Sequence, residues 1–354
     1  MIDTAWALVQ DVKKRYPDLE ELTVALGGSV ATAINYPAWT GPAHPGDRVL
    51  LNVTAVRLGL GTGGVHFVMH IKGVPTQSQG PGHLMKLRYT PWQIRTLAVD
   101  EDDSPHRNGM AAGLDGLPVV VCELHSQMGA VAAAFRALAP RSRLVYVMTD
   151  GGALPLGFSN LVRQLRVAGL LDGTITIGHA FGGDLEAVNL HSALLAARSA
   201  LRADACVVAM GPGVVGMGSR FGFSGLEQAA NLDAANVLGG QPVAVVRMSV
   251  ADKRARHRGI SHHSQTVLGQ ATLSQVIVAV PPVPEEWHQS ICEQLRMCSN
   301  HRLVVTDGGA GLKLLAAKNI NLRSMGRSPD QDPLFFAAAA AGGAVAAGLL
   351  ADIP

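Results

Sequence analysis

Arg143-Leu144-Val145-Tyr146-Val147-Met148-Thr149-Asp150-Gly151-Gly152-Ala153 and Arg302-Leu303-Val304-Val305-Thr306-Asp307-Gly308-Gly309-Ala310 end alike. Each closes an apolar run that reads as a buried strand. In the first copy an apolar run (119–123) and a helical stretch (126–138) lead into residues 144–148. In the second, residues 275–280 and 284–297 lead into 303–305. A strand-helix-strand unit ending in an acid and two glycines is thus used twice. Open α/β sheets bind ligands just past the carboxyl ends of their parallel strands, so the pattern marks one rim as the place to look for a site.

The alternation continues outward. Apolar runs at 119–123, 143–148, 174–178, 205–210, 242–248, 275–280 and 302–305 alternate with helical patterns such as 186–201 and 226–238. Near-continuous Val/Ile/Leu runs are buried on both faces, which with intervening helices predicts a doubly wound, mostly parallel sheet of about seven strands over 116–354. Ahead of it, 1–72 reads as a small β-barrel-like domain. Its strands are expected at 21–26, 29–36, 47–56 and 65–71, separated by turn chemistry such as Gly27-Gly28 and Pro45-Gly46-Asp47. Residues 73–115 read as a connector, with a loop over 76–82.

Composition narrows the function classes. The 354 residues are 48% hydrophobic and only 16% charged, enough to bury a large core. A net charge of +2 without a basic block argues against nucleic acid as a partner. Four cysteines, none in a CxxC pair, read as buried thiols of a reducing cytoplasm. The amino terminus lacks a basic stretch followed by an apolar core, so no signal peptide is read. Residues 334–350 are uncharged and rich in Ala and Gly. They are too short and too weakly apolar for a membrane span and are expected as a buried helix. The partner expected on these grounds is a small molecule, with a homo-oligomer compatible and a membrane not.

On the rim, the residues after nearly every strand are polar or glycine. Asp150 and Asp307 could orient a metal or a water. Their ordinary alternative is to cap the next helix while the glycines make the turn. Gly211-Pro212-Gly213-Val214-Val215-Gly216-Met217-Gly218 contains GxGxxG between a strand and a helix, so Gly211, Gly213, Gly216 and Gly218, with Ser219 and Arg220, are candidates to hold a phosphate. Ser219 to Ser224 intervene before the helix, and no acid stands at the end of the next strand to take a ribose. His179 and His191 bracket Asp184 and Glu186, which makes Asp184 and His191 candidate metal ligands, although no metal-binding spacing appears. In Arg254-Ala255-Arg256-His257-Arg258-Gly259-Ile260-Ser261-His262-His263, the arginines 254, 256 and 258 could grip an anion and His257 or His262 act as acid or base. His179 and His262 are the preferred acid/base pair, and Ser126 beside His125 reads as a helix cap.

With these residues in view, the chain resembles the bacterial family of domain of unknown function 3866. The residues that carry the resemblance are Ala33-Ile34-Asn35-Tyr36-Pro37, Pro45-Gly46-Asp47-Arg48-Val49, Gly82-His83-Leu84-Met85-Lys86-Leu87-Arg88-Tyr89-Thr90-Pro91, Arg220-Phe221-Gly222-Phe223-Ser224-Gly225 and His257 to His263. The resemblance implies a bacterial, cytoplasmic protein and brings no activity with it. From the rim, the expected function is a hydrolase or transferase acting on an anionic or phosphorylated small molecule, with a divalent metal or a nucleotide as the cofactors to consider. The alternatives are an NADP-type oxidoreductase, in which Ser249 and Arg254 take the 2′-phosphate, and a non-catalytic binding or scaffold protein.

Overall fold

The computed structural model describes residues 1–61, 63–75 and 80–352. The chain forms two compact units. One comprises 1–81 with 85–96, and the other 82–84 with 97–354.

The first unit is a closed barrel of β1 (Thr4–Arg15), β2 (Glu20–Leu26), β3 (Ser29–Asn35), β4 (Arg48–Asn52) and β5 (His66–Ile71), in the order β1-β2-β3-β5-β4. Two short helices, α1 (Pro37–Thr40) and α2 (Thr54–Arg57), sit in its connections. Alternate residues of the strands fill the interior, among them Val9, Leu22, Val24, Val49, Leu51 and Ile71. Sequence reading missed β1. Only Ala7 and Val9 of its twelve residues are buried, so its apolar signal is faint. Pairing holds it: β1 bonds to β2 on one side and β4 on the other, and register breaks at Val9/Asp11 and Val12/Lys14 let it curl. A two-stranded ribbon, β6 (Leu84–Lys86) and β7 (Ile94–Thr96), follows.

The second unit is built on an eight-stranded sheet. Its strands are β8 (Pro118–Val121), β9 (Leu144–Thr149), β10 (Gly173–Ile177), β11 (Leu185–Ala187), β12 (Ala205–Met210), β13 (Gln241–Val245), β16 (Ile277–Val280) and β17 (Arg302–Val305). Between β13 and β16 comes a small antiparallel pair, β14 (Met248–Ser249) and β15 (Gly259–Ile260). The sheet order is β11-β10-β9-β12-β8-β13-β16-β17, and every neighbouring pair is parallel. The seven expected strands are present. The eighth, β11, is a three-residue edge strand where a helix had been expected from 186. That helix, α5 (Leu190–Ser199), starts at Asn189, whose side chain accepts the Ser192 N–H.

Both faces of the inner strands are covered, as continuous apolar runs require, but β17, expected from its sequence to be buried, lies at the sheet edge with Arg302, Leu303 and Val305 exposed. On one lie α3 (Met128–Leu138), α4 (Asn160–Val167), α9 (Gly309–Ala317) and α10 (Pro333–Leu349). On the other lie α5, α6 (Glu227–Val237) and α8 (Glu285–Leu295). Between β15 and β16, α7 (His262–Thr266) runs into a single π-helical turn, Val267–Ala271. Helix α10 is the uncharged Ala/Gly segment. A Cβ at its Gly343 would enter the Val131 backbone of α3, and one at Gly311 of α9 would enter the Ala133–Ala134 backbone. Small residues thus let three helices pack backbone to backbone. No helix among the described residues is long and apolar enough to cross a membrane.

Strand order also locates the crevice. From β8 the chain steps over one position to β9, runs outward to β10 and β11, returns to β12 and then crosses to β13 on the other side of β8. Connections therefore leave β8, β12 and β13 in opposite directions, which opens a gap at their carboxyl ends. At that gap the Gln228 side-chain amide donates to the carbonyls of Val121 and Val245, satisfying β8 and β13 where their ladder stops.

Candidate functional site

Two charges stand at this gap. Glu123 follows the Val119-Val120-Val121-Cys122 run and Arg247 follows Val243-Ala244-Val245-Val246. Both are almost wholly withdrawn from water, with side-chain exposures of 0% and 4%. A buried charge persists when it is paired and its remaining atoms are bonded. Arg247 Nη1 lies 3.2 Å from Glu123 Oε1, His263 Nδ1 lies 2.7 Å from the same oxygen, and the Ser264 hydroxyl donates to Oε2 at 3.3 Å. Burial works against ionisation of Glu123, but the His263 and Arg247 interactions prevail and hold its carboxyl below the usual range.

This network fixes the imidazole. With the carboxylate as acceptor, His263 Nδ1 is the donor, and Nε2 is the ring nitrogen left on the other side. The 3.3 Å approach of Arg247 Nη1 to His263 Nδ1 is then two donors converging on one oxygen. Phe223 stacks flat on the His263 ring at 3.8 Å between centroids. Gly216 leaves the other edge open, since a Cβ there would lie 3.6 Å from Nε2.

Local folding brings two more histidines to the same place. The β14–β15 hairpin closes the loop from 250 to 258. Ser261 then caps α7 by accepting the His263 N–H, and its own N–H reaches the Arg247 carbonyl. Its hydroxyl also lies 2.8 Å from His257 Nδ1. The centroids of His257, His262 and His263 are 4.4 to 5.1 Å apart, and one ring nitrogen of each lies within 4.8 Å of one from each of the others. Among the described residues this is the only group of three or more His, Cys, Asp or Glu positioned to hold a metal ion. Burial, followed by the nearby charges of Arg247 and Arg254, pushes His257 down to about 3, so it is neutral at physiological pH.

A cavity of about 280 Å³ opens beside the cluster, lined by residues 214–216 and 218, the arginines 247, 254 and 256, His257, His263 and Met325. The arginines differ in their commitments. Arg254 grips Asp252 through two contacts of 3.0 Å, and Arg327 bridges Asp252 and Asp332. Burial opposes ionisation of Asp252, but Arg254 foremost and then Arg327 hold its carboxyl far below the usual range. Arg256 is exposed and has no ion-pair partner among the described residues; its guanidinium lies against Gly218.

The other residues singled out from sequence are distributed as follows. Asp150, at the end of β9, accepts the His179 N–H and seats the turn after β10. The glycines beside Asp150 serve a close approach: a Cβ at Gly152 would enter the Gly211–Pro212 backbone, and one at Gly211 the Ala153 backbone. Asp307 accepts the Gly309 N–H, and Gly308 lies against the α10 backbone. Strands β9 and β17 stand five positions apart, about 24 Å at the usual spacing, so the two Asp-Gly-Gly turns share no cleft. The sequence repeat is not a spatial one. Asp184 is taken by the Thr174 N–H and hydroxyl and by Arg166, and His191 is exposed on α5.

The glycine stretch departs from the strand-loop-helix layout of a dinucleotide loop. Residues 215–217 pair back on 222–224, α6 starts only at Glu227, and Ser219 and Arg220 stand at the exposed tip outside the cavity. Of the four glycines, Gly216 and Gly218 line the cavity while Gly211 and Gly213 do not. Arg258 donates to the Asp252 carbonyl. The pair suggested for a 2′-phosphate is already engaged, Ser249 by Asp332 and Arg254 by Asp252. His125 is half-buried, its Nε2 2.7 Å from Ser159 Oγ, and Ser126 bonds Ser324 rather than capping α3.

Sequence reading missed Glu123 and Arg247 as site residues. The available signal was a charged residue at the end of an uninterrupted apolar run, which demands a buried partner. The model of the DUF3866 family, described as protein of unknown function, matches residues 32–343. No curated protein and no solved structure matches the chain.

Proposed function

The chain belongs to the DUF3866 family, and we propose that the crevice between β8, β12 and β13 binds a small anionic molecule, such as a phosphate ester, as a hydrolase or transferase. One observation carries this reading. Arg256, an exposed guanidinium without a carboxylate partner among the described residues, borders a cavity that His257 and His263 also line, with His263 anchored to a buried carboxylate. Guanidinium groups bind planar oxyanions through paired hydrogen bonds. The volume, near the lower end for ligand pockets, suits a small substrate or a substrate's charged head better than a dinucleotide. Arg256 is assigned to grip the anion. The histidines next to it supply lone pairs for acid, base or metal chemistry at the bond to be broken.

The test pairs binding with turnover. Inorganic phosphate and a chromogenic phosphomonoester are presented to the full chain and to Arg256→Ala. Expected is saturable phosphate binding in calorimetry, weakened at least tenfold in the variant, with turnover of the ester weakened in parallel. Identical titrations for the two proteins would end the anion assignment. Saturable binding without turnover would leave a binding protein.

A further inference from the structure

We infer that His257, His262 and His263 form a three-histidine site for a divalent transition metal, zinc or a congener, beside this cavity, which His257 and His263 line. This deepens the proposed function by naming what the histidines hold, but it rests on their geometry and not on the identity of the anion.

Four observations converge. The three residues come from one ten-residue stretch, and their ring nitrogens lie within 4.8 Å of one another. A tetrahedral zinc with bonds of about 2.0–2.1 Å sets its nitrogens roughly 3.3 Å apart, a closure that ring rotation supplies. Second, the Nδ1 atoms of His257 and His263 are engaged by Ser261 and Glu123, which leaves Nε2 as the atom each offers. A ligating imidazole ordinarily presents one nitrogen to the metal and gives the other to a carboxylate or another oxygen, which fixes its orientation and strengthens it as a ligand. Third, His262 Nε2 is buried and has no hydrogen-bond partner among the described residues. A buried lone pair or N–H left unmade costs free energy, so a vacant nitrogen beside two other imidazoles is unusual unless something takes it. Fourth, Gly216 leaves the Nε2 edge of His263 uncovered toward the cavity.

Electrostatics permit the ion. Glu123 neutralises Arg247 directly beneath the cluster, and Asp252 neutralises Arg254. Arg256, which has no ion-pair partner among the described residues, is on an exposed side chain, where water screens it. Three imidazole nitrogens would fill three of zinc's four positions, as in catalytic rather than structural sites, and the fourth would be left for water or an oxygen of the bound anion.

The test uses metal binding itself. Full-length protein is stripped with chelator, desalted, loaded with Zn²⁺ or Co²⁺ and desalted again. Expected are one retained equivalent by elemental analysis and the visible absorption of tetrahedral Co²⁺. His262→Ala breaks no hydrogen bond at Nε2 and should fold normally while binding at least tenfold more weakly. Glu123→Gln should weaken binding 10- to 100-fold, and His191→Ala, on exposed α5, should bind as wild type. The inference falls if wild type retains no stoichiometric metal, or if His262→Ala and His257→Ala retain it unchanged. Should His257→Ala fail to fold, His262→Ala alone decides. Phosphate titrations of the metal-free protein separate the two readings, because Arg256→Ala should weaken phosphate binding at least tenfold while leaving Co²⁺ binding intact.

Discussion

Glu123 and Arg247 face each other at the ends of adjacent parallel strands, 3.2 Å between Oε1 and Nη1, neither more than 4% exposed. Breaking a buried pair by removing one charge leaves the other uncompensated, at a cost of about 3–5 kcal/mol. Glu123→Gln and Arg247→Met should each lower the free energy of unfolding by amounts of that order. In the double variant no charge is stranded, so its cost should be smaller than the sum of the singles by at least ~2 kcal/mol. Denaturant titration of the four proteins measures this, and strict additivity would show that the two charges are not coupled.

A second carboxylate gives a pH signature. Burial pushes Glu227 up to about 7 against the hydrogen bond donated by Thr149, and Asp150 nearby adds like charge. The folded state therefore holds a proton that the unfolded state, at the reference value of 4.5, has released. Stability contributed by this group is complete below about pH 4.5 and is lost as pH rises to about 7, by on the order of 2–3 kcal/mol. Glu227→Gln cannot release that proton. Across this window the variant should gain stability relative to wild type as pH rises. A constant difference between the two curves would place the Glu227 titration elsewhere.

Much of the α/β unit was legible because its strands are short unbroken apolar runs, which few other environments tolerate. What could not be read was held by pairing or distance. Strand β1 buries two side chains and is defined by its neighbours on both sides, and β11 is three residues long at an edge. The site suffered more. His257, His262 and His263 were visible as a cluster because they are close in sequence. The carboxylate that orients one of them lies 140 positions upstream, and no local pattern ties Glu123 to His263. The repeated Asp-Gly-Gly turns misled for the opposite reason: similar local chemistry ends β9 and β17, but chain topology inserts four strands between them.

Those turns give a backbone prediction. Gly152 and Gly211 stand opposed where the turn after β9 meets the turn after β12, and the Ala153 N–H donates to the Pro212 carbonyl at 2.7 Å. A methyl on either glycine would overlap the other turn's backbone, which no side-chain rotation can relieve. Gly152→Ala and Gly211→Ala should each cost about 1–3 kcal/mol, the range for forced overpacking, and should displace residues 214–216 and 218, which border the cavity. Gly216→Ala is the contrasting case. Its new methyl would meet the His263 ring at 3.5 Å, an ordinary contact. Stability should therefore be nearly unchanged, while phosphate or Co²⁺ binding weakens as the Nε2 edge is covered. Thermal unfolding of the three variants, run beside the two binding titrations, separates a packing role from a site role. If Gly152→Ala is as stable as wild type, close backbone contact is not why glycine occupies that turn.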